Sequence, residues 1–301
     1  MKKASLVLSV VLLLATLVGC SQVALPKLGV EVPPKSPQEE DERGNIDQNE
    51  AVAVIEPLAV VESAPKVEHW DWLVPKDYKT LEEAIQVAED GDVIRIMGTI
   101  NEMIRISNKV LTIVGDGKDI SVLNGGLILD GSQISFKYLT VQNIEIRGSG
   151  TVFNGSDIDL GLLTAGRSNV INIVDSQIRS INTGGAVVTI EGSIIGEKRK
   201  ASVISGYIVG NEIIGMVEIG GQVKNNIFTE QAIVVVGGSG SVFEYNKFLR
   251  AEAVSDNGDN NLWRMNYWKG WDYNKPMPIK GEAGSVDSTP ISEEEALGGL
   301  Y

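Results

Sequence analysis

The sequence predicts an all-β chain wound as a right-handed parallel β-helix, a solenoid of about nine turns with a short N-terminal capping helix. Three observations predict it. A unit of apolar residue, two residues, Ser or Asn, one residue, apolar residue recurs eight times between positions 139 and 268. Its polar slots follow one another at a short, nearly regular interval, as the repeats of a solenoid do. Glycine makes up 33 of 301 residues, well above the usual ~7%, which suits a chain with many tight corners.

The units run in order. Leu139–Gln142–Ile144 opens the series with Gln in the polar slot, followed by Phe153–Ser156–Ile158, Ile173–Ser176–Ile178 and Ile190–Ser193–Ile195. Ile208–Asn211–Ile213, Val223–Asn226–Phe228, Phe243–Asn246–Phe248 and Trp263–Asn266–Trp268 complete it. One such turn cannot bury its apolar face alone, so stacked neighbours must supply the core. Nine turns at ~4.8 Å each make a rod of roughly 40–45 Å. The polar slot fits an inward corner where a side chain bonds the backbone of the next turn. An antiparallel sandwich is the competing fold, built on Asn-Gly or Asp-Gly hairpins. Asn154-Gly155, Asp130-Gly131 and Asn257-Gly258 occur, but like residues repeating at like slots favour the solenoid.

The stretch before Val67 differs from the rest. Lys2 and Lys3 precede an apolar run from Ser5 to Val18, too short to span a bilayer comfortably and of the length of a signal-peptide core. The run ends in Leu17-Val18-Gly19-Cys20, which resembles the lipobox of bacterial lipoproteins. The resemblance implies removal of residues 1–19 and a lipidated Cys20 as the new N-terminus. It places the chain in the bacterial cell envelope, outside the cytoplasm and anchored to the membrane through the lipid. Ser21, not an Asp, points to the outer membrane where a cell has one. Residues 20–66 hold six of the ten prolines, the acidic run Glu39-Glu40-Asp41-Glu42 and no aromatic residue after Cys20. Such a segment buries too little apolar surface to offset chain entropy and reads as a disordered tether.

The β-helix domain is expected over residues 67–291, with 292–301 as a C-terminal tail. Leu81, Ala84, Ile85 and Ala88 recur at helical spacing, Thr80 with Glu83 fits a capping box, and Asp90-Gly91-Asp92 ends the helix. Val93–Ile96 and Val110–Gly115 read as strands. The segments TLEEAIQVAEDGDVI, INEMIRISN and LTIVGDG, within residues 78–117, resemble the entry block of the pectin-lyase-like β-helix superfamily, where a short amphipathic helix caps the first coil. Residues 260–291, with an Asn-aromatic-Trp step and Val286-Asp287-Ser288-Thr289-Pro290, resemble the closing segment of many bacterial β-helix proteins. Such a segment would shield the last open edge.

Function is less legible. A net charge of −14 without a basic stripe argues against nucleic-acid binding. A single histidine, His69, excludes a His-based zinc site or a Ser/His/Asp hydrolase. Enzymes of the resembled superfamily hold calcium with outward carboxylates beside an Arg base and act on acidic polysaccharides. On that pattern Glu145, Asp159 and Arg179 fall three residues after successive polar slots, with Asp157 and Asp175 nearby. Asp157 and Asp159 are the calcium candidates and Arg179 the catalytic one. Charge pairs between rungs are also the ordinary surface of a solenoid. Trp263 and Trp268 occupy inward slots and are expected in the core. Trp271 and Tyr273 are candidates for stacking on a sugar ring. The leading expectation is a non-catalytic envelope module, structural, adhesive or glycan-binding, with no cofactor and with polysaccharide or another envelope protein as partner. The alternative is a calcium-dependent polysaccharide lyase or its degenerate relative.

Overall fold

The computed structural model describes residues 69–298. The signal segment, Cys20 and the tether lie outside the described residues. The described chain is an all-β, right-handed parallel solenoid of about ten turns, one more than expected. Its strands fall into three parallel ladders. Down the first, Ile94, Ile113, Phe136, Gly155, Ile173, Ile190, Ile208, Val223, Phe243, Trp263 and Asp287 stand in register, one from each turn. Down the second run Ile100, Leu123, Val141, Leu160, Ile178, Ile195, Ile213, Phe228, Phe248 and Trp268. The third begins with Ile104, Leu127 and Ile144. Nearly all of these apolar side chains are buried, because successive residues of a strand alternate between inside and outside.

One residue turns the chain from the first ladder to the second. Tyr138, Asp157, Asp175, Gly192, Gly210, Asn225, Tyr245 and Met265 all have φ between 49° and 67°, a single left-handed residue at each corner. The residue after each corner points inward. From the N-terminal side these are Leu139, Ile158, Ser176, Ser193, Asn211, Asn226, Asn246 and Asn266, all buried.

This corrects two of the eight expected units. From Ile173 onward the pattern is in register. The first two slide: Leu139 and Ile158, expected as apolar flanks, fill the polar slot themselves. The matching residues are Phe136–Leu139–Val141 and Gly155–Ile158–Leu160.

The polar slots bond backward along the axis. Asn226 Oδ1 accepts from the Asn211 amide N–H at 3.0 Å, and its Nδ2 donates to the Ile208 carbonyl at 2.8 Å, so the side chain serves the preceding turn. Asn246 and Asn266 repeat the arrangement. The column ends on the fully buried Asp287, whose Oδ2 accepts from Asn266 N, Asn266 Nδ2 and Trp268 Nε1, each at 3.0 Å.

Both ends are covered. Helix α1 (Leu81–Val87) carries the expected capping box and buries Leu81, Ala84 and Ile85 against the first coil. At the other end Met277–Pro278 pairs antiparallel with Val286–Asp287, which in turn lies parallel to the last full rung. Beyond it the expected tail forms a short helix, α2 (Glu293–Gly298), attached through Lys247 to Glu293 at 2.5 Å.

Candidate functional site

The outward carboxylates singled out from the sequence do not converge. Asp159 stands opposite Thr140 and Gln177 on the second ladder, while Glu145 stands opposite Thr164 on the third. The expected stacking of Glu145 with Asp159 therefore fails by register. Arg179 does reach Asp159, donating from Nη2 to Oδ2 at 2.9 Å. Asp159 Oδ1 is buried without a hydrogen-bond partner. Asp157, on its left-handed corner, takes Lys118 Nζ at 2.6 Å. Glu145 accepts a two-pronged bond from Arg147 at 2.7 and 2.8 Å. That bond holds the Glu145 carboxyl below its ordinary value against the opposing effect of burial, with a lesser contribution from the Arg147 charge. Glu145, Asp157 and Asp159 thus each already hold one cation, while Asp175 sits on its own left-handed corner. Among the described residues no three His, Cys, Asp or Glu side chains gather to hold a metal.

The aromatic candidates divide as expected. Trp263 and Trp268 are core residues, while Trp271 is 38% and Tyr273 53% exposed. Trp271 Nε1 donates to the Lys275 carbonyl at 2.9 Å, and Asp272 accepts from the Asn274 amide, so their loop is closed by its own bonds.

A groove not anticipated from the sequence lies on the third ladder. Its floor is a column of outward residues in register: Asn143, Leu162 and Ser180, then Ala201, Met216 and Ile233. The two triplets join where Ser180 Oγ donates to the Ala201 carbonyl at 2.8 Å. A hollow of about 400 Å³ over Ala201, Met216 and Ile233 is rimmed by Lys198, Arg199, Lys200 and Arg250. A second hollow of about 270 Å³ lies over Asn143, Leu162 and Ser180, rimmed by Arg179 and again by Lys200.

No protein-family model, curated protein or solved structure matches this chain.

The cationic rim is fixed by the backbone beneath it. Residues 196–200 form the corner between the second and third ladders, closed by Lys200 N donating to the Glu197 carbonyl at 3.0 Å. Gly215 packs under this turn at φ 76°, where an added Cβ would collide with the Glu197 carbonyl oxygen. Only glycine fits there on both counts. The signal in the sequence was the run Glu197-Lys198-Arg199-Lys200, the densest group of cations in an acidic chain.

Proposed function

We propose that this chain is a bacterial envelope lipoprotein, held to a membrane by lipid on Cys20. In this reading its β-helix works without catalysis, as a rigid structural, adhesive or glycan-binding module. A kinship with the pectin-lyase-like superfamily is part of the same reading. It draws on the entry block at residues 78–117 and the closing segment at 260–291.

The observation that carries the non-catalytic reading is the pairing of the outward carboxylates. A calcium site of the resembled kind needs several carboxylates free to share one ion at ~2.3–2.6 Å. Here Asp157 is engaged by Lys118, Asp159 by Arg179 and Glu145 by Arg147. An arginine bound to a carboxylate cannot serve as a base, and the partner carboxylate is already neutralised. Among the described residues the turns are also short, from Ile208 to Val223 at one extreme and from Trp263 to Asp287 at the other, and bring no long loop to enclose a substrate.

Two measurements test the proposal. Cells fed an alkyne fatty acid should label the wild-type chain and retain it in the membrane fraction. Cys20→Ala should lose both label and retention; an unlabelled wild type would remove the lipoprotein reading. The purified full chain, incubated with polygalacturonate and calcium, should produce no ultraviolet absorbance of unsaturated product. An increase that Asp159→Ala and Arg179→Ala abolish would replace the module with the lyase.

A further inference from the structure

We infer that the cation-rimmed groove on the third ladder holds an extended polyanion: a polyol or sugar chain carrying phosphate or carboxylate groups and lying along the solenoid axis. The inference rests on the binding-module reading and gives that module its site and its class of ligand.

Charge is the first argument. The chain carries −14 overall, yet the larger hollow is lined by Lys198, Arg199, Lys200 and Arg250 with Glu230, and the ion-pair partners of these residues are Glu197, Glu252 and Lys269. Five cations face three carboxylates, an excess of two positive charges. Lys200, Arg250 and Lys269 have acidic partners at 3.0, 3.1 and 2.5 Å. Lys198 and Arg199 form no ion pair among the described residues. Two unpaired cations on one corner, in a molecule that otherwise repels anions, concentrate the attraction at that point.

The floor is the second argument. Met216 is 48% and Ile233 39% exposed, side by side on adjacent rungs with Ala201. A free inorganic anion gains nothing from such a floor. A chain with an apolar face and charged substituents gains from both floor and rim.

The length is the third argument. The six floor residues occupy consecutive rungs, so the column spans about 24 Å at ~4.8 Å per rung. The two hollows lie along this column and share Lys200. A monomer fills one end, whereas an oligomer reaches Arg179 as well as the Lys198 corner. The surface is concave, which suits a strand of polymer and does not suit a flat bilayer. None of the residues lining either hollow is aromatic, so a nucleic-acid strand would find no stacking platform.

The test uses the full chain in detergent micelles and fluorescence anisotropy with four labelled probes. These are poly(glycerol phosphate), a uronate oligomer, their monomers and a single-stranded oligonucleotide. At least one of the two polymers should bind, at least about tenfold more tightly than its monomer, and more weakly as salt rises. The double variant Lys198→Glu/Arg199→Glu should lose about tenfold or more in affinity, and Ile233→Glu should also weaken binding. Lys76→Glu, an exposed charge change on the first turn and outside the six floor rungs, should not. Urea midpoints equal to wild type confirm that the variants fold. Which polymer binds identifies the anionic group. The inference is overturned if neither binds, if monomer and polymer bind equally, if only the oligonucleotide binds, or if the double variant binds like wild type. Polymer cleavage during the assay would instead refute the non-catalytic reading and leave the groove assignment standing.

Discussion

The two halves of the solenoid solve the same packing problem with different chemistry. In two N-terminal turns the slot after the corner holds Leu139 and Ile158, although the turn before them places Ser121 there, donating to the Ile96 carbonyl at 2.8 Å; the core column beside the slot is aliphatic apart from Phe136 and Phe153. In the C-terminal turns the same slot holds Asn211, Asn226, Asn246 and Asn266. Aromatic rings stack beside it: Phe228 on Phe248 at 4.5 Å, Phe248 on Trp268 at 4.3 Å and Phe243 on Trp263 at 4.0 Å. An aliphatic slot is tolerant, because a buried Leu needs only shape. An Asn slot is demanding, because each amide must find partners in both neighbouring turns. The C-terminal half therefore fixes its register by hydrogen bonding, and the N-terminal half by packing and by helix α1.

The sharpest way to break this contrast is at the end of the Asn column. Asp287→Ala removes the acceptor of three buried donors at once, two from Asn266 and one from Trp268. We expect a loss of about 3–5 kcal/mol, read as a lower urea midpoint. Asp287→Asn keeps an acceptor oxygen and should lose less than half as much. A small effect of the alanine change would mean that the column does not hold the C-terminal end.

The next test exchanges chemistry between the halves. Asn246→Leu takes the acceptor from the Asn226 backbone N–H and a donor from the Val223 carbonyl, at about 2–4 kcal/mol, while Asn226 Nδ2 keeps the Ile208 and Lys224 carbonyls. The reverse change, Leu139→Asn, should also destabilise, by about 1–3 kcal/mol. The nearest main-chain donor on the preceding turn, Ser121 N, already bonds the Gly117 carbonyl at 2.9 Å, leaving the new amide oxygen without it. If either exchange is neutral by chemical denaturation, the two halves are not distinct in the way described.

The same contrast explains what was legible in the sequence. The solenoid, the capping box and the core positions of Trp263 and Trp268 followed from residue type, because Ser and Asn at one slot are a visible signal. Where that slot turns apolar, at Leu139 and Ile158, the repeating unit matches nearby polar residues instead, Gln142 and Ser156. The first unit is displaced forward by three residues, across a corner, and the second back by two; strand period could not prevent the second, since a shift of two keeps inward residues inward, as the buried Phe153 two residues before Gly155 illustrates. The slip then carried Glu145 into a false stack with Asp159. The groove was harder to see. Its floor residues are scattered over positions 143 to 233 and meet only through the register, while its rim is the one compact signal, at Lys198 to Lys200.

A third test concerns charges that bridge rungs of the C-terminal half. Lys224, Glu244 and Arg264 stand in register on three successive turns, with Glu244 buried between the two cations. Burial pushes the Glu244 carboxyl up, but bonds from Lys224, at 2.9 Å, and from Arg264, with both charges, together bring it below its ordinary value of 4.5. A lowered folded value means that this stabilisation is complete above the unfolded value and is lost as pH falls through the folded one. The urea midpoint should therefore drop on acidification below about 4.3. Glu244→Gln should cost about 1–2 kcal/mol at neutral pH and make the acid limb shallower. An unchanged acid limb would show that other carboxylates control it.

The smallest effect is expected where catalysis was suspected. Asp159 and Arg179 belong to the N-terminal half, whose register rests on packing, so their ion pair should add little to it. Both side chains keep some solvent contact, at 19% and 33% exposure, and pairs of that kind contribute about 0.2–1 kcal/mol. A double-mutant cycle with Asp159→Asn and Arg179→Gln should return a coupling in that range. Asp159→Asn alone should be nearly neutral, because Oδ1 already lacks a partner and the amide oxygen can still receive Arg179. A coupling several times larger would make this pair a structural clamp like Glu244. The contrast between a packed N-terminal half and a bonded C-terminal half would then have to be drawn at a different turn.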